Sequence, residues 1–170
     1  MGMGRYRPPQ PKASPYITPQ GYEALQRELT GLWQRRADTT KALSAAAAEG
    51  DRSENAEYIY RKKELREIDR RIRYLQKRLP DLTVVRERPG DVGRVFFGAW
   101  VTLEDEAGET CRYRIVGADE LNPQAGYISM DSPLARALLK KGLDDEVVVH
   151  TPGGDATYCI CTIDYSESTD

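Results

Sequence analysis

The chain has 170 residues, of which 39% are hydrophobic and 31% charged, with a formal net charge of −2. That length suffices for one ordinary domain or two small ones. No apolar run approaches the roughly 20 residues that a membrane-spanning helix needs. Residues 1–15 carry proline and basic residues without an apolar core, so they read as a flexible tail and not as a secretory signal. Three cysteines (Cys111, Cys159, Cys161) and a single histidine, His150, suit a reducing, cytoplasmic compartment better than a disulfide framework. A Cys3His zinc site would lack the usual Cys-x2-Cys knuckle. Cys159-Ile160-Cys161 reads instead as part of a strand, with both thiols on one face as small hydrophobes.

The near-neutral total hides a division. Residues 1–80 hold 17 Lys/Arg against 10 Asp/Glu, and residues 81–170 hold 8 against 17. A basic half suits a polyanion, whereas an acidic half suits a basic protein surface.

In chain order, Thr18-Pro19 is a helix start, a capping hydroxyl followed by proline in the first turn. A spacing of three and four then runs through Tyr22, Leu25, Leu29, Leu32, Arg36, Thr39, Leu43 and Ala46. The alanine run 45–48 extends this helix, and Gly50 ends it. Asp51-Arg52-Ser53-Glu54-Asn55 is dense in turn formers. A second helix follows, with Leu65, Ile68, Ile72, Leu75 and Leu79 as its seam and Pro80 as its stop. Two such helices joined by a short polar turn predict an antiparallel coiled-coil hairpin over 16–80. Each arm has about 30 residues and is roughly 45 Å long. Its seam thins from leucine and isoleucine at the base to alanine at the tip.

From Leu82 short β-branched and aromatic runs alternate with Gly, Asn-Pro and Gly-Gly breaks. Strands are predicted at 94–97, 99–103, 111–116, 126–130, 146–149 and 156–165. One helix interrupts them, capped by Ser132, opened by Pro133 and closed at Gly142 after Lys140-Lys141. The fold class is thus α+β: a helical hairpin, then a small, mostly antiparallel β domain over 81–170 with one helix.

Two clusters carry candidate chemistry. Asp51 and Glu54, with Glu57 beyond, put carboxylates where the helices meet. Such groups ligate hard cations such as Mg²⁺, which takes only one or two protein carboxylates and keeps several waters. The same residue types are also ordinary turn and first-turn formers. Arg61, Lys62, Lys63, Arg66, Arg70, Arg71 and Arg73 crowd the second helix. Such a helix holds phosphates or is a solvated face with ion pairs to its partner helix. Tyr58, Tyr60 and Tyr74, interleaved with them, stack on bases or pack on the neighbouring helix.

Tyr22-Glu23-Ala24-Leu25, the run from Gly50 to Tyr58 and the run from Leu65 to Leu75 resemble the bacterial Gre factors. The Asp-Arg-Ser-Glu-Asn turn, the dense arginine run, Phe96-Phe97-Gly98-Ala99-Trp100-Val101 and the segment from Ile128 to Lys141 are similar to the GreB branch. The resemblance covers about residues 16–165. It implies an FKBP-like C-terminal domain that docks at the rim of the RNA polymerase secondary channel through Asp131, Ser132 and Pro133. The Ser132-Pro133 pair reads equally as a helix cap. The resemblance further implies a hairpin that enters the channel, and a catalytic pair, Asp51 and Glu54, that shares Mg²⁺ with the polymerase. The basic stretch from Arg61 to Arg73 would face the extruded RNA 3′ end. On this expectation the chain is a monomeric elongation factor that is not an enzyme by itself but stimulates transcript cleavage by polymerase. A channel-binding regulator without cleavage, a prolyl isomerase with a coiled-coil appendage and a free RNA-binding protein are the alternatives.

Overall fold

The computed structural model describes residues 11–50 and 55–166. Its described residues form two compact units, Ile17–Arg86 and residues 11–16 with 87–166.

The first unit is the helical hairpin. Helix α1 spans Pro19–Ala47 and helix α2 spans Ala56–Arg78. Thr18 is the N-cap of α1; its hydroxyl accepts from the Gly21 N–H at 3.1 Å, and Pro19 sits in the first turn, where its missing N–H costs nothing. The inward positions of α1 are Leu25, Leu32, Thr39 and Ala46, a strict spacing of seven; Leu25 and Leu32 share one apolar cluster with Ile68, Ile72 and Leu75 of α2. That is the seam of a left-handed antiparallel pair. Helix α2 has 23 residues, fewer than the sequence suggests. Its start waits for the Asn55 cap, and past Arg78 the chain tightens into a 3₁₀ turn, Leu79–Asp81, that contains Pro80.

At the base of the hairpin lies a two-stranded sheet that the sequence does not announce: β1 (Tyr16–Ile17) beside β2 (Thr83–Val84). The Val85 N–H donates to the Ile17 carbonyl at 2.9 Å, and fully buried Ile17 joins Leu25, Leu32, Ile68, Ile72 and Leu75 in one apolar cluster. Leu82 and Val84 pack on it. Residues 82–86 therefore belong with the hairpin, beyond the division at 80/81 expected from sequence. Residues 11–16 group with the C-terminal unit.

The second unit is a five-stranded sheet in the order β5-β4-β3-β7-β6. Its strands are β3 (Trp100–Asp105), β4 (Thr110–Val116), β5 (Tyr127–Ser129), β6 (Glu146–Thr151) and β7 (Gly154–Asp164). All neighbours are antiparallel except β4 and β5, which run parallel with Arg114 opposite Tyr127. The sheet is mixed because a connection with a 3₁₀ turn at Pro123–Ala125 carries the chain back between them. Alternate residues Val101, Leu103, Ile115, Val147 and Ile160 form the inner face, closed by Ala135 and Leu138 of the single helix α3 (Pro133–Leu138).

Three details depart from the sequence reading. Residues 94–97 form no strand: Arg94 makes one bridge, to Gly142, and the chain turns at once, with the Ala99 N–H on the Phe96 carbonyl. Val95 is nonetheless fully buried, which is why the run looks strand-like. Helix α3 stops at Leu138, short of Gly142, because Lys140 itself takes the left-handed conformation at φ 69°. In β7 the register against β3 slips between Thr102 and Leu103, which leaves Cys161 as the extra, exposed residue of a bulge. Its thiol lies 3.9 Å from Glu104 Oε2, and desolvation first, then that carboxylate, push its pKa up. Cys161 is thus a bulge residue and not a buried hydrophobe.

Candidate nucleic-acid interface and tip of the hairpin

Asp51 and Glu54 lie outside the described residues, which resume on either side of them at Gly50 and Asn55. Gly50 leaves α1 at φ 127°, a conformation that glycine adopts without strain. Asn55 does two jobs on the other side. Its Oδ1 accepts from the Tyr58 N–H at 3.1 Å, capping α2, and its Nδ2 donates to the Ala46 carbonyl of α1 at 2.8 Å. One side chain therefore both starts the second helix and ties it to the end of the first. Ala46 is almost fully buried there, so the arms approach closely where the seam is alanine.

Below the tip, the basic residues divide into two groups. Arg61 donates to Glu57 at 2.8 Å and to Glu64 at 3.0 Å. These bonds, that to Glu57 above all, raise its pKa above the ordinary arginine value. Arg71 makes a two-pronged pair with Glu28 of α1, Nε at 2.7 Å and an Nη at 3.0 Å. Among the described residues no carboxylate pairs with Lys62, Lys63, Arg66, Arg70 or Arg73. Arg66, Arg70 and Arg73 line an open cleft of about 570 Å³ with Trp33, Arg36 and Asp69. Arg36 is satisfied by Asp69 at 2.7 Å, so the other three arginines dominate the charge of the cleft. Trp33 is 47% exposed at its wall. A flat aromatic among guanidinium groups is the composition that receives a single strand, bases on the ring and phosphates on the charges. The seven basic residues of the sequence reading are thus two sets, one paired with carboxylates within the hairpin and one without a carboxylate partner among the described residues.

The three tyrosines each carry a cationic side chain of their own helix: Tyr74 lies under Arg71 at 5.2 Å from guanidinium to ring centroid, Tyr60 under Arg61 at 5.4 Å and Tyr58 under Lys62 at 5.8 Å. Tyr60 is nonetheless 58% exposed.

In the C-terminal unit, Asp131, Ser132 and Pro133 form the turn into α3. The Ser132 hydroxyl accepts from the Ala135 N–H at 3.2 Å, so this residue is a helix cap whatever else it does. Asp131 is half-buried and accepts from Ser14, a residue 117 positions earlier. No group of three or more His, Cys, Asp or Glu among the described residues is arranged to hold a metal. No helix among them is long and apolar enough to cross a membrane.

Two family models match the chain, "Transcription elongation factor, N-terminal" over residues 15–84 and "Transcription elongation factor, GreA/GreB, C-term" over residues 90–165. The chain belongs to the GreA/GreB family of transcription elongation factors. It is 60% identical to the transcription elongation factor GreB of Pseudomonas aeruginosa, over 96% of this chain and 98% of that one. It is 58% identical to that of Xanthomonas axonopodis pv. citri, over 96% and 99%. Within the family it is therefore of the GreB type. Its likeness to the solved GreA factor homolog 1 of Thermus thermophilus is 28% identity over 88% of this chain and 97% of that one, with a TM-score of 0.41.

Three residues of this GreB-type chain deserve a place that sequence reasoning did not give them. Trp33 carried no signal because it is one aromatic on the outer side of a heptad helix. Asn55 was visible as a turn former, but its bond to Ala46 required knowing that the two arms close there. Ser14 sat in a stretch that reads as a tail.

Proposed function

We propose that this GreB-type factor binds bacterial RNA polymerase as a monomer through the secondary channel and stimulates the polymerase's own cleavage of the RNA 3′ end in backtracked complexes. The observation that supports this is the hairpin. It is an arm narrowed to alanine at its far end, where Asn55 caps α2 and bonds the end of α1. One cleft along the arm holds arginines without carboxylate partners among the described residues.

Each group has a role on this reading. Asp51 and Glu54 offer hard oxygen donors, which fit Mg²⁺ as one or two protein carboxylates among waters, and the polymerase supplies the remaining ligands. Bound between the two proteins, the ion would stabilise the charge that develops on the phosphodiester and activate water. Asn55 holds the turn at a fixed distance along the arm. Arg66, Arg70 and Arg73 hold phosphates of the extruded RNA, and Trp33 receives a base. Asp131, Ser132 and Pro133 dock on the rim of the channel. The factor is not an enzyme alone, because two carboxylates make half of a two-metal site.

The test uses a stalled, backtracked polymerase complex with Mg²⁺ and the full-length protein. Asp51→Asn is expected to lower stimulated cleavage by about a hundredfold, the order lost when a charge-stabilising group is removed from an active site. Its affinity for polymerase should stay unchanged. Undiminished cleavage by the variant would overturn the catalytic reading and leave a channel-binding regulator.

A further inference from the structure

Ser14 places two donors on one carboxylate. Its backbone N–H donates to Asp131 Oδ2 at 2.9 Å, and its hydroxyl donates to Oδ1. A carboxylate gripped on both oxygens by a single residue is fixed in rotation as well as position. From the other side, the Asp131 N–H donates to the Ser129 hydroxyl at 3.1 Å, and the Ser132 N–H to the Ser129 carbonyl at 2.9 Å. The turn before α3 is therefore held between the end of β5 and a segment from the opposite end of the chain.

That segment has its own seat on the C-terminal unit. The Tyr16 ring lies 6.3 Å from that of Phe97, inclined by 54°. The Tyr16 carbonyl passes so close over buried Gly117 that a Cβ added there would lie 2.2 Å from it. Backbone cannot yield to such a contact, so only glycine permits the crossing. The Gly117 N–H in turn donates to Glu120 at 2.7 Å. Residues 14–16 are thus a strap, seated at Tyr16 independently of the Ser14 hydroxyl.

We propose that Ser14 is a positioning residue for docking: it holds the Asp131 carboxylate in the orientation in which the turn of Asp131, Ser132 and Pro133 meets polymerase. The inference rests on the reading of that turn as the docking surface. Ser14 touches no partner on this proposal and acts through Asp131.

The test is a double-mutant cycle on equilibrium binding of the full-length protein to RNA polymerase, with a thermal melt of each variant. Ser14→Ala removes the hydroxyl and keeps the N–H. It is expected to weaken binding about tenfold, the worth of one hydrogen bond to a charged group, while the melt remains a single cooperative transition lowered by no more than about 8 °C, so that the protein is folded at the temperature of the binding assay. Ser14→Thr, which keeps the hydroxyl, should restore binding. In the Asp131→Ala background the Ser14 substitution should have no further effect on binding, since the carboxylate it positions is gone. Two results overturn the inference and are distinguishable. If Asp131→Ala binds polymerase as the parent does, the docking assignment itself falls. If Asp131→Ala weakens binding but Ser14→Ala does not, or the two effects add in full, docking stands and Ser14 has no part in it.

Discussion

Toward its base the hairpin is closed by Leu25, Leu32, Ile68, Ile72 and Leu75, with Ile17 beneath them. Toward its turn the same seven-residue series continues as Thr39 and Ala46. Thr39 is almost fully buried, yet its hydroxyl donates to Glu64 Oε1 at 3.3 Å, and Ala46 meets the polar side chain of Asn55. The lower half is thus held by removal of apolar surface from water, which is strong and indifferent to direction. The upper half is held by a few hydrogen bonds, which are weak and directional. Stability and tip geometry are consequently separable properties of the same two helices.

The largest effect that tests this contrast is at the base. Leu75→Ala removes a fully buried side chain and is expected to cost about 2 to 5 kcal/mol, read by chemical denaturation. A loss below 1 kcal/mol would mean that the base does not carry the fold of the hairpin. Reversing Arg66, Arg70 and Arg73 to glutamate comes next. Rescue of complexes with long extruded RNA should fall about tenfold, while complexes backtracked by one or two nucleotides lose little. Reversing Arg71 instead should behave as a stability change, because Arg71 is already committed to Glu28. Equal loss on long and short extrusions would show that the cleft is not where RNA lies. The smallest energetic effect is Asn55→Ala. Loss of the cap should cost about 1 kcal/mol, but cleavage stimulation should drop by more than that cost explains. A variant as active as its parent would show that the stitch to Ala46 does not set the turn.

The sequence made legible what depends on periodicity and on local caps. The seam of α1, the Thr18-Pro19 start and the Ser132-Pro133 start are all visible because each is settled within one helical turn or by one repeated spacing. What stayed hidden joins residues far apart in the chain. Ser14 with Asp131, Glu28 with Arg71, and Tyr16–Ile17 beside Thr83–Val84 are pairings that no local window contains. Val95 and Phe96 misled for a related reason: burial selects apolar residues whether or not a strand forms, and this run makes an isolated bridge, Arg94 to Gly142, in place of a ladder. At the candidate site, composition grouped seven basic residues that the structure sorts in two, since only the fold reveals which of them already face a carboxylate.

The strict interval of seven along α1 has a further consequence. Adding one residue between Leu32 and Ala46 would rotate the part of α1 beyond it by about 100° and take the positions after it off the seam. Adding seven to each arm would keep every bearing and advance the tip by about 10 Å. The arm is therefore a ruler marked in whole heptads, on which reach and facing direction can be changed only together or in steps of fixed size.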